Sequence, residues 1–201
     1  MTTSLINPSY KFPNYFSWPF FFTIQKHGET RRKQLLMWTE LILQFCKDNK
    51  VWRLSKSVFF DNLGQNPKIN RKISLDSIET IFSSMVEGKR AVYVNEKIKD
   101  ELFVLWKTFA EWEDFIYQSA VNRQAIDKLE TLQYITQDDD NKREEYYNMD
   151  KDMLVTILLE LEKKGKCELL ADDNDNYMAV KFFILIHYEH LNIFFNNNFL
   201  F

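Results

Sequence analysis

The chain has 201 residues, 45% of them hydrophobic and 16% aromatic, which is enough core for one domain or two small ones and argues against global disorder. Its formal net charge of -3 removes any global attraction to phosphate backbones. No stretch reaches the ~18 consecutive apolar residues of a membrane span, and no N-terminal run has the charged-then-apolar form of a secretory signal.

Three of the four prolines, Pro8, Pro13 and Pro19, fall near the start and predict an extended arm over residues 1–25. Within it, "FPNYFSWPFFFT" is one phrase written twice. Phe12-Pro13-Asn14-Tyr15-Phe16-Ser17 and Trp18-Pro19-Phe20-Phe21-Phe22-Thr23 each run aromatic, Pro, variable, aromatic, aromatic, hydroxyl. Aromatics on a stiffened segment lose little entropy on docking into a partner groove. Fully burying one Phe-sized side chain is worth about 1.5–3 kcal/mol, so three or four anchors offset the ordering of a short segment. Two copies point to two equivalent pockets on partners, with Trp18 as the strongest anchor. The competing expectation is an arm folded back over its own domain.

Beyond the arm, Thr30 is the predicted N-cap of "RRKQLLMWTELILQFCKDNK", with Leu35, Trp38, Ile42, Phe45 and Cys46 on one face and Leu41 beside it. "KVWRL" reads as a short strand, and Pro67 opens a short helix after Asn66. Ser74 caps a helix carrying Ile78, Ile81, Phe82 and Met85, ended by Gly88. "AVYVNEKIKDELFVLW" reads as a hairpin with strands near 91–95 and 101–106.

The same order then recurs. "EWEDFIYQSAVNRQ" is a helix with Trp112, Phe115 and Ile116 inward, and "KLETLQYI" a strand. Leu154, Ile157, Leu158 and Leu161 follow Ile78, Ile81, Phe82 and Met85 at a constant separation of 76 (154 minus 78). Ala91 and Cys167, Val104 and Val180, and Trp106 and Phe182 keep it. Helix, strand, helix, helix and hairpin written twice predicts an α+β chain of two tandem winged-helix domains behind an extended Pro/aromatic arm.

Winged helices often bind DNA through the third helix, which makes a nucleic-acid-binding or transcription-complex protein the alternative reading. Helix 75–87, however, carries Asp76, Glu79 and Glu87 with no base until Lys89, and helix 151–164 balances Lys151, Lys163 and Lys164 against Asp152, Glu160 and Glu162. Arg31-Arg32-Lys33 reads as a solvated first turn. Cys46 and Cys167 lack CxxC spacing and read as buried thiols of a cytosolic or nuclear protein. His187 and His190 have no third ligand nearby, the acidic loops at 138–140 and 172–173 lack EF-hand spacing, and four glycines build no phosphate loop. The expectation is a non-enzymatic adaptor with no cofactor and no metal.

The residues also resemble a known family, the vacuolar protein sorting-associated protein 25 subunits of the ESCRT-II complex. The resemblance runs from Phe12 to Phe183 and is carried by the arm, "FFTIQ" (21–25), "TRRKQL" (30–35), "LILQFCK" (41–47), "FVLWK" (103–107), Glu111-Trp112 with Ile116-Tyr117-Gln118, and "AVKFF" (179–183). It implies an arm, residues 1–25, seated on two sister subunits of the 22 and 36 type. Phe12, Pro13, Tyr15 and Phe16, then Trp18, Pro19, Phe21 and Phe22, match the docking motifs. It further implies winged-helix domains at 26–107 and 108–183. The second would recruit an ESCRT-III subunit of the 20 type during sorting of ubiquitinated membrane proteins into multivesicular bodies, with the protein cytoplasmic and peripherally recruited to endosomes. The family usually has two adjacent prolines per motif, where this chain has Asn14 and Phe20, and Lys26 stands where a proline is common. Family chains normally end near "VKFF". Residues 184–201, "ILIHYEHLNIFFNNNFLF", contain no Ala, Gly, Pro or Arg. The expectation there is translated intron or flanking sequence and not a membrane-surface helix, which would carry Lys or Arg on its polar face.

Overall fold

The structure, a computed structural model, describes residues 10–184. The expectations for the start of the arm, for His187 and His190 and for the tail beyond 184 lie outside the described residues. The chain divides into two compact units, one of residues up to 112 together with 148–153, the other of 113–147 together with residues from 154 onward.

In the first unit, helix α1 (Gly28–Asn49) follows the arm. Its N-cap is His27, so Thr30 lies inside the helix, and the predicted cap is corrected by one turn. Strand β1 (Arg53–Ser55) leads directly into helix α2 (Lys56–Asn62), because the Ser55 hydroxyl accepts from the Val58 amide at 3.2 Å. The middle helix was expected at Pro67. There the chain makes only one 3-10 turn (Pro67–Ile69), capped by the Asn66 side chain, between the short strands β2 (Gln65–Asn66) and β3 (Arg71–Lys72). Helix α3 (Leu75–Glu87) starts at the Ser74 cap, and strands β4 (Ala91–Tyr93) and β5 (Glu101–Val104) form the wing. The sheet order is β1-β5-β4, antiparallel throughout. Its inner face, with Leu54, Leu102 and Val104, closes on Trp38, Ile42 and Phe45 of α1, Phe59 of α2 and Ile78, Ile81, Phe82 and Met85 of α3, all buried.

The later elements repeat this plan. They are α4 (Phe109–Asn122), β6 (Leu129–Thr131), α5 (Leu132–Gln137), α6 (Lys151–Lys163), β7 (Cys167–Ala171) and β8 (Tyr177–Phe182), with sheet order β6-β8-β7. The strand expected over "KLETLQYI" covers only 129–131, and 132–135 belong to helix α5. Thr131 accepts from the Tyr134 amide and turns the chain into α5, as Ser55 does 76 residues earlier (131 minus 55).

The repeat is real but its separation drifts. In the first helices it is 74, since Trp38, Ile42 and Cys46 correspond to Trp112, Ile116 and Ala120 (112 minus 38), and Val51 and Ala125 close the two helix ends onto Cys46 and Ala120. From β1 through α3 it is 76. In the last strand it becomes 78, because Leu54 pairs with Leu102 while Glu130 pairs with Val180 (180 minus 102). The second wing is two residues longer, and a bulge at Leu170/Ala171 supplies one of them. Val104 therefore corresponds to Phe182, and the expected pairings of Val104 with Val180 and Trp106 with Phe182 are corrected by two residues.

Candidate docking surface

The arm is the feature that the winged-helix plan does not explain, and its path is set by two 3-10 turns. Pro13 caps the first (Asn14–Ser17) and Pro19 opens the second (Pro19–Phe22). The amides of Phe16, Trp18, Phe21 and Thr23 close these turns on the carbonyls of Pro13, Tyr15, Trp18 and Phe20 at 3.0–3.2 Å. With about three residues per turn, neighbouring aromatics leave the backbone in different directions. The expected extended arm is thus a compact one, because the turns let Phe16, Phe21 and Phe22 reach the domain beneath.

Those inward rings are Phe16, Phe21 and Phe22, all buried in the core of the first unit. Phe21, 1% exposed, stacks on the Trp38 indole at 4.2 Å, and Phe22 meets the same indole edge-on at 5.8 Å. Phe16 stacks on Phe12 at 4.2 Å. The backbone is pinned as well. Gln34 of α1, only 6% exposed, donates from Nε2 to the carbonyls of Phe20 (3.1 Å), Phe21 (2.9 Å) and Thr23 (3.0 Å) and accepts from the Gln25 amide at 2.9 Å. Trp38 Nε1 donates to the Phe21 carbonyl at 3.2 Å, and Asn66 Nδ2 to the Phe16 carbonyl at 2.8 Å. Burial holds the Tyr15 phenol above its ordinary range, with Glu40 adding to the effect, and pushes Tyr10 up to about 12 with help from Asp48.

The outward rings are Trp18 and Phe20, 44% and 60% exposed, stacked on each other at 5.4 Å. Pro19 between them is exposed, and Phe12, Pro13 and Tyr15 are half-buried. The eight residues expected to meet a partner therefore separate. Trp18 and Pro19 are presented, Phe12, Pro13 and Tyr15 are partly presented, and Phe16, Phe21 and Phe22 lie in the domain's own core, in a groove beside Trp38. Phe20, Gln34 and Asn66 were not singled out from the sequence. Gln34 had a signal, since it sits on the same helical face as Trp38, Leu41, Ile42 and Phe45, and a polar residue at a buried apolar position calls for fixed partners.

Beside the exposed pair lies an open groove of about 1000 Å³, whose far wall is β3 and the turn before it, with Pro67, Arg71 and Lys72. The outer side of α3 exposes Asp76, Glu79 and Glu87, charges that repel a phosphate backbone. Among the described residues no helix is long and apolar enough to cross a membrane, and no group of three His, Cys, Asp or Glu side chains gathers as a metal site would.

The sequence model of the ESCRT-II complex subunit family matches residues 15–150. A vacuolar protein-sorting-associated protein 25 from Dictyostelium discoideum is 33% identical over 196 residues, covering 88% of this chain and 98% of that protein. The crystal structure of subunit 25 of the endosomal trafficking complex ESCRT-II superposes with a TM-score of 0.78 at 27% identity, over 84% of this chain and 97% of that one. A chain from the crystal structure of the endosomal ESCRT-II complex of vacuolar protein sorting subunits 22, 25 and 36 gives 0.74 at 26% identity, over 83% and 97%.

Proposed function

The chain belongs to the vacuolar protein sorting-associated protein 25 family of ESCRT-II subunits, and from that premise we propose that it is a non-enzymatic adaptor whose arm docks onto sister subunits of the 22 and 36 type. The observation that carries this is the Trp18–Phe20 pair, an apolar surface held in place from beneath by Phe21, Trp38 and Gln34. A ring pair fixed before binding loses little further freedom on docking, which is where the affinity of such a contact originates. Pro19 shares that surface, Phe12, Pro13 and Tyr15 extend it, and Phe16, Phe21 and Phe22 serve it from below.

The second winged-helix domain, residues 108–183, recruits an ESCRT-III subunit of the 20 type, as the family resemblance implies. Leu170 and Met178 stand exposed on β7 and β8 and give that contact apolar surface on the wing. Together the two contacts serve the sorting of ubiquitinated membrane proteins into multivesicular bodies, with the protein held peripherally at endosomes through the complex. The test is co-purification of the full chain with the 22- and 36-type subunits, wild type against Trp18→Ala/Phe20→Ala, each verified as folded by circular dichroism. Loss of the complex in the folded double variant supports the reading. Equal recovery of both chains shows that the arm is dispensable and overturns it.

A further inference from the structure

The groove beside the exposed ring pair is not neutral. Arg71 and Lys72 line it, and Lys68 lines the adjoining cavity of about 330 Å³, which shares Gln65 and Pro67 with it. All three cations are exposed, and none makes an ion pair among the described residues. Lys56, by contrast, is already neutralised by Glu79 at 2.8 Å, and Arg53 by Asp150 at 2.6 Å. The cluster runs against the chain's net charge of -3. The corresponding connection before α6 has the opposite balance, with Asp138, Asp139, Asp140, Glu144 and Glu145 against Lys142 and Arg143. The second 3-10 turn of the arm packs on β3, which places the cations and the rings on one surface.

Resting on the reading that the arm docks onto sister subunits, we propose that the partner surface is an apolar pocket rimmed by carboxylates. Trp18 and Phe20 fill the pocket, and Lys68, Arg71 and Lys72 face the rim. The occupant is a folded, acidic-rimmed protein surface and not a nucleic acid, because the cations flank an apolar ring stack and the outer side of α3 repels phosphate. The two parts of the surface have separable effects. Exposed charges govern encounter rate and ionic-strength dependence, and the buried aromatic anchors govern residence time.

The experiment measures association and dissociation rates of the full chain with the co-purified 22- and 36-type subunits, from low ionic strength to about 0.15 M and above. The chains compared are wild type, Arg71→Glu/Lys72→Glu, Arg71→Ser/Lys72→Ser and Trp18→Ala. Wild type should associate more slowly as salt rises. Charge reversal should slow association about tenfold or more at low salt, invert the salt dependence so that added salt speeds association, and leave dissociation nearly unchanged. The serine variant, which cannot unfold the chain by repulsion, should lose most of the salt dependence. Trp18→Ala should instead speed dissociation at every salt. If Trp18→Ala weakens binding while wild type and both charge variants share one salt-independent rate, the acidic rim is refuted and the docking reading stands. If wild type binds neither subunit, both fall. If a short DNA duplex binds wild type at about 0.15 M salt and charge reversal abolishes that binding, the cations serve nucleic acid and the proposal is overturned.

Discussion

Replacing Gln34 with alanine tests how the arm is held. The side chain has four partners in the arm: its two amide hydrogens are shared among three carbonyls, and its oxygen accepts from the Gln25 amide. At about 1 kcal/mol net for each of the two hydrogens and for the accepted bond, the upper bound is about 3 kcal/mol. The true cost is smaller, since the Phe21 carbonyl keeps Trp38 Nε1 and the Phe20 and Thr23 carbonyls belong to exposed residues that water can reach. A loss of about 2 kcal/mol follows, lowering the thermal midpoint of the first unit by roughly 10 °C. Hydrogen exchange supplies the local readout, because the Gln25 amide has Gln34 Oε1 as its acceptor and should lose protection in the variant. Gln34→Glu is the sharper control. It keeps the acceptor for Gln25 but removes the donors and points a carboxylate at three carbonyls, so it should cost more than alanine. A Gln34→Ala chain with an unchanged midpoint and a still-protected Gln25 amide would refute the clamp.

Phe21→Ala, which empties a site stacked on Trp38, should cost about 3–5 kcal/mol in chemical denaturation, whereas exposed Trp18→Ala should cost less than about 1 kcal/mol. Lys89 (φ 55) and Gly165 (φ 68) occupy the same left-handed position after α3 and α6, 76 residues apart (165 minus 89). Lys89→Gly should therefore stabilise by up to about 1 kcal/mol, and Gly165→Ala, which meets no neighbour within 4 Å, should cost about the same through backbone strain alone. Burial raises the Cys46 thiol far above the ordinary range and Cys167 to about 12, with Glu162 adding to the latter. Both thiols should resist iodoacetamide in the native chain and react on unfolding. Because the unfolded chain releases these protons near 9.0 and the native chain keeps them, their stabilisation is complete below pH 9 and declines above it, which denaturation at stepped pH will show.

The winged-helix plan was legible because its signals are local and repeated. The apolar set of α3 and the Ser74 cap occur as read, and the recurrence in α6 exposed the duplication. The middle helices were not legible at α2 and α5, since each is short and enters straight from a strand through a Ser55 or Thr131 cap, with no intervening loop. Proline drew the reading to residue 67, yet proline favours the start of any turn and carries no information on length. The drift from 74 to 78 was hidden because the constant separation of α3 and α6 was carried on through the hairpin, where apolar residues two apart on one strand face match equally well. In the arm, composition picked out the aromatic phrase but could not sort its rings. Which aromatic faces inward depends on the 3-10 geometry and on Gln34 and Trp38, residues beyond the phrase itself.

The second prolines that the family usually carries are missing at Asn14 and Phe20, and the two positions are not equivalent. A residue before proline is pushed to extended backbone. Pro13 is already extended (φ -66, ψ 156), so a proline at 14 suits the first turn, and Asn14→Pro should be neutral or stabilising by up to about 1 kcal/mol. Pro19 lies inside the second turn, so Phe20→Pro would force it out of 3-10 geometry and pull the Phe20 and Phe21 carbonyls from Gln34. That variant should destabilise the arm by about 1–3 kcal/mol and expose the Gln25 amide to exchange. Stiffness that a second proline would give an extended arm is supplied here by the turn and its clamp, and the freed position carries the ring that stacks on Trp18. If Phe20→Pro left the Gln25 amide protected and the midpoint unchanged, the turn would not be what orders the arm, and the exposed Trp18–Phe20 pair would have no structural reason to be fixed.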